Sequence, residues 1–154
     1  ITPLDSGGGA RPLLVTPSAD RNPAVSPDGR WLAYASNETG VMEVYVRSLT
    51  EGGGRTRVST HGGAEPRWPR SGRELLYRTP DSVYAVSVTP GPEFRAGKPR
   101  ALFGGTFPRK NTTNWDVTPD GQRFVMVRPP EIPPEGPPLQ VILHWFDQPH
   151  GQQR

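Results

Sequence analysis

Asp28 and Asp120 are the residues whose setting first suggests chemistry. Each occupies a Pro-Asp-Gly triplet, within "SPDG" at 26–29 and "TPDG" at 118–121. Two carboxylates can share general acid–base work or hold a cation. A third, related stretch decides against that reading. "PRSG" at 69–72 keeps the glycine and loses the acid. A turn tolerates that loss, whereas a repeated acid or metal site does not. In a tight corner Pro presets the backbone angle, Asp accepts the next position and Gly takes the left-handed geometry. Asp28 and Asp120 are therefore read as turn residues.

The three histidines, His61, His144 and His150, show no ligand spacing with a carboxylate on one element, so no metal or cofactor is expected. Neither G-x-S-x-G nor H-E-x-x-H occurs, and the kinase glycine loop, HRD and DFG motifs are missing too. "AGKPR" at 96–100 lacks the first glycine and the Ser/Thr of a phosphate loop. No catalytic residue is assigned. Asn37 and Asn111 begin N-x-T sequons in expected loops, which chance explains in a bacterial setting.

The corners belong to longer phrases. "PAVSPDGRWLAY" (23–34), "PRWPRSGRELLY" (66–77) and "WDVTPDGQRFVM" (115–126) superpose without a gap, so Gly29, Gly72 and Gly121 coincide at steps of 43 and 49. A period in the forties built from short strands predicts propeller blades. Each copy offers a short strand with an inward apolar residue, Val25, Trp68 or Val117, before the corner. The strand after it ("WLAYA", "LLY", "FVMV") is almost continuously apolar, as expected when both faces are buried between stacked sheets. Third strands follow at "MEVYVRSL" (42–49), "DSVYAVSV" (81–88) and "LQVILHWF" (139–146), with weaker outer strands at "RTRVST" (55–60) and "PRALFG" (99–104).

The expected fold class is all-β: a partial β-propeller of about three four-stranded antiparallel blades plus an extra N-terminal outer strand. Residues 1–22 are read as the outer strand of a missing preceding blade ("RPLLVTP", 11–17) and its link. Blade 1 covers 23–60, blade 2 covers 61–110, blade 3 covers 111–147, and 148–154 form a flexible tail.

Composition fits this plan. Pro (20) and Gly (18) make up a quarter of the 154 residues, but mostly punctuate apolar runs, as turns do. The exception is "RPPEIPPEGPPL" at 128–139, read as a stiff surface loop. Cysteine is absent, no 18-residue apolar run exists, and the first residues resemble no signal peptide. The missing initiator Met suggests a start inside a longer protein. A net charge of +3 is a weak field for this length, and Trp68 alone lies near the arginines at 55, 57, 67, 70, 73 and 78, so nucleic acid is not expected as a partner.

"SPDGRWLAYASNETG", "EVYVRSL" and "TPDGQRFVMV" resemble the WD40-like PD40 repeats of TolB-type β-propellers. The likeness is nearest to propellers at the C-terminal end of bacterial proteins, including membrane-anchored serine/threonine kinases. The ending "VILHWFD" also looks like a last strand of that group. The resemblance implies a noncatalytic binding or sensing module, outside the cytoplasm, with no membrane insertion of its own. Related propellers also gate prolyl-oligopeptidase-type hydrolases, which gives the alternative reading. Such propellers close with about six blades, so the remaining blades of the same protein are expected as partners in preference to a second copy. A protein or small-molecule ligand is expected on the face gathering the outer-to-inner links and second hairpins. His61, Glu65, Arg67, Arg109, Lys110 and Asn37 are the candidate binding residues there.

Overall fold

The computed structural model describes residues 12–50, 54–89, 91–105, 107 and 114–127. All regular structure among them is strand. The first sheet is a four-stranded antiparallel meander of β1 (Asp20–Val25), β2 (Trp31–Ser36), β3 (Glu43–Ser48) and β4 (Arg55–Arg57). The second contains β5 (Ala64–Arg67), β6 (Glu74–Arg78), β7 (Ser82–Thr89), β8 (Arg95–Ala96) and β9 (Arg100–Gly104). A third holds β10 (Trp115–Val117) and β11 (Phe124–Met126). The eight-residue β7 has room for two short partners on its outer edge. It takes β9 over Ser82–Ala85 and β8 at Val88–Thr89.

The sheets stack face to face because their central strands are apolar on both sides. In β2, Leu32 and Tyr34 point outward, away from the second sheet, while Ala33 joins Val44, Val46 and Val58 against Leu75, Tyr77, Val86 and Val88. In β6, Leu75 and Tyr77 face the first sheet, and Leu76 turns to the third, where Val83, Ala85, Phe107 and Trp115 pack with it. Strand side chains alternate between faces, so a continuous apolar run is what two buried faces require. This is the arrangement of successive propeller blades, and the described residues close no ring.

The three corners share one geometry. Gly29, Gly72 and Gly121 have φ of 71°, 64° and 74°. Each donates its backbone N–H three residues back, to Ser26, Pro69 and Thr118, at 2.8, 3.0 and 2.8 Å. Asp28 and Asp120 accept the backbone N–H two residues on, and Ser71 does this in the second corner. The carboxylates brace turns, as their context predicts. The bulges ahead of the corners also match: Asn22 and Glu65 both have φ 53° and both precede Pro. Neighbouring corners are tied together, since Arg70 N–H donates to the Pro119 carbonyl at 2.9 Å.

Two expectations are corrected. Residues 12–17 form no strand; among the described residues they pair with no sheet edge, and the segment lies across the outward face of the first sheet. Leu13 and Leu14 pack there with Leu32, Tyr34 and Tyr45, and Arg47 Nη1 donates to the Leu13 carbonyl at 2.9 Å. Val25, expected inward, is 54% exposed. It pairs with Leu32 and so points to that same outward face, whereas Trp68 and Val117 meet a preceding sheet. The expected strand 139–146, the proline tract and the tail at 148–154 lie outside the described residues.

Candidate functional site

The residues expected to form a binding face differ in exposure and in what they hold. His61 is exposed and bonded to Thr60 through Nδ1. Asn37 is exposed too, but its Oδ1 accepts from Ala19 N–H at 2.7 Å and holds the N-terminal segment. Arg67 is half-buried, 3.6 Å from Asp116 and bonded to the Pro66 carbonyl. Glu65 is not a surface residue at all. The bulge before Pro66 turns it inward, where it is 4% exposed and bound to Arg78. Arg109 and Lys110 lie outside the described residues.

Among the described residues a concavity lies between the first two corners. It measures about 350 Å³ and is bounded by Asp28, Arg30, Trp31, Arg70, Val88 and Gly91. Corner geometry builds it. Arg30 directly follows Gly29 and Arg70 lies two residues before Gly72, so adjacent bends each contribute an arginine to its lining. Arg30 is fixed in place: its guanidinium carbon is 5.4 Å from the Trp31 ring centroid and Nη2 donates to the Gly91 carbonyl at 2.5 Å. Phe94 backs Trp31 at 5.4 Å between centroids. The cleft thus has an apolar floor and a basic rim.

Asp28 tempers that rim. The Ser26 hydroxyl donates to its Oδ1 at 2.5 Å, and the Arg30 backbone N–H donates to the same oxygen at 3.1 Å. The Ser26 bond is the main cause holding its carboxyl below the usual range, against a smaller opposing effect of burial. Asp120 is lowered in the same way, first by the Thr118 hydroxyl and then by Gln122 N–H. Neither behaves as a proton shuttle near neutrality. Among the described residues no group of three His, Asp or Glu side chains is placed to hold a metal ion.

No family model matches the chain, and no curated protein matches it. What the cleft can do therefore rests on its own chemistry. It offers two cations and a hydrophobic floor, which suits binding an anionic group. Sequence reading missed Arg30 and Trp31 because the corners read as purely structural. The signal was present: Arg30 and Arg73 each follow the corner glycine directly, at equivalent positions of the two copies.

Proposed function

We propose that this chain is a noncatalytic β-propeller segment, a protein- or ligand-binding module of a larger bacterial protein. The PD40-like phrases favour a serine/threonine kinase with this module outside the cytoplasm. The observation that carries the reading is a matched pair of tyrosine stacks. Tyr77 and Tyr84 stack at 5.2 Å where the second sheet meets the first. Tyr34 and Tyr45, at the equivalent positions of the first sheet, stack at 5.9 Å on its outward face. That face has the same design as one that packs against a sheet.

Unmet hydrogen bonds support this. Asp20 Oδ1, Ser36 Oγ and Arg47 Nε are buried and lack a partner among the described residues. Ser36 lies two residues after Tyr34, Asp20 opposite Ser36, and Arg47 opposite Leu32, so the register assigns all three to the outward side. A buried polar atom without a partner costs about 1–3 kcal/mol, which a docking sheet with complementary groups relieves. The partners proposed are the remaining blades of the same propeller.

Sedimentation equilibrium of the isolated chain tests the reading. An under-bonded outward face should associate with concentration, and Val25→Glu, at the residue of that face that is 54% exposed, should weaken that association. A monodisperse 16.9 kDa monomer at every concentration would overturn it.

A further inference from the structure

We propose that the cleft between the first and second corners receives a carboxylate side chain from an acidic peptide segment, held between Arg30 and Arg70. The proposal rests on the binding-module reading and gives that module's ligand a chemistry.

Arg30 is the preorganised half of the site. Its contacts with Trp31 and the Gly91 carbonyl fix the guanidinium before any ligand arrives, so little side-chain freedom remains to be lost on binding. Arg70 is the adaptable half. Its backbone is anchored to Pro119, yet its side chain is exposed and meets no carboxylate among the described residues. Guanidinium–carboxylate hydrogen bonds are charge-assisted and directional, which is what two arginines lining one cleft supply. Arg73 and Arg123 are also exposed beside their corners and add charge of the same sign.

Size and charge narrow the ligand. About 350 Å³ is at the small end of ligand pockets, which span roughly 300–1,000 Å³, so one side chain fits better than a cofactor. Trp31 and Val88 give the methylenes of a glutamate an apolar floor. Asp28 stays ionised at the rim with its Oδ2 4.0 Å from Arg30 Nη1. That fixed negative charge offsets one of the two guanidinium charges lining the cleft, so a single carboxylate neutralises what remains and a dianion exceeds it.

The test uses the whole chain and a fluorescent hexaglutamate peptide, read by anisotropy. A hexaglutamine peptide and a phosphoserine peptide of equal length are the comparison arms. Hexaglutamate should bind, weaken as salt rises, and lose at least tenfold in affinity to Arg70→Glu, with Arg70→Gln between. Arg70 is exposed, so circular dichroism should show both variants folded. Equal binding of hexaglutamine, tighter binding of the phosphopeptide, indifference to Arg70→Glu, or no binding of hexaglutamate would each overturn the proposal. The cleft is built only from the first two sheets, so its result is independent of the association test above.

Discussion

Arg78 grips Glu65 in the interior with two parallel hydrogen bonds, Nη2 to Oε1 at 2.6 Å and Nε to Oε2 at 3.0 Å. Their side chains are 1% and 5% exposed. The same guanidinium donates to the Phe107 carbonyl at 3.1 Å and to Asn114 Oδ1 at 2.8 Å. One buried cation therefore ties the second sheet to the segment leading into the third. Removing a single partner of such a pair strands a charge and costs about 3–5 kcal/mol, whereas replacing both is far milder. Arg78→Met should lower the urea midpoint sharply, and Arg78→Met with Glu65→Gln should recover most of the loss. Equal destabilisation by the single and double variants would show that the pair is not coupled in this way.

The corner at Gly29 gives a second expectation. Nothing lies within 4 Å of where a Cβ would sit, so the demand on this position is conformational, from its φ of 71°. A left-handed backbone costs an ordinary L-residue roughly 1–2 kcal/mol, and Asn less than most. Gly29→Ala should destabilise the chain by about that amount and Gly29→Asn by less. Thermal melts that rank Ala above Asn would contradict a left-handed corner.

Tyrosine burial sets an alkaline limit. Burial, then the nearby Tyr84 and Glu43, pushes the Tyr77 hydroxyl well above its ordinary value of 10.0. Tyr34 and Tyr45 are raised as well, chiefly by burial. The folded state therefore holds these protons where the unfolded chain releases them. Stability is complete below pH 10 and falls as pH rises above it. Absorbance at 295 nm should show these tyrosines ionising only as the β-sheet circular dichroism is lost, and Tyr77→Phe should move that loss to higher pH. Full ionisation with the fold intact would refute the burial argument.

The corners, and the doubly buried strands of the first two copies, were legible because both are local; the third copy departs from this, with Val125 and Val127 64% and 65% exposed. Gly-containing turns and apolar runs carry their geometry within a few residues, as at Asp28–Gly29 and Trp31–Ala35. Glu65 was misplaced for the opposite reason. A lone acid next to a glycine-rich link reads as a solvated loop, and only the partner thirteen residues on, Arg78, makes burial tolerable. The paired bulges at Asn22 and Glu65 were visible in outline, since both residues precede Pro in aligned copies. Val25 is in the expected strand, but its register opposite Leu32 turns it to the outward face of the first sheet. Leu13 and Leu14 looked like a strand by pattern, but a strand needs an edge to pair with, and among the described residues they pair with none.

That N-terminal segment yields the last expectation. Leu13 and Leu14 are half-buried against Leu32, Tyr34 and Tyr45, in the position a preceding sheet would take. They are joined to the first sheet by the Arg47 bond to the Leu13 carbonyl, by Thr16 to Asp20 at 2.6 Å, and by Ala19 to Asn37. Full burial of a leucine is worth about 1.5–3 kcal/mol, so each of these contributes roughly 1 kcal/mol. Leu13→Ser with Leu14→Ser should therefore lower stability by about 2 kcal/mol in urea titrations. It should also uncover the tyrosine stack, so binding of a hydrophobic dye rises and the concentration dependence of association steepens. Unchanged dye binding and unchanged mass in the double variant would mean that the segment covers nothing a sheet could occupy.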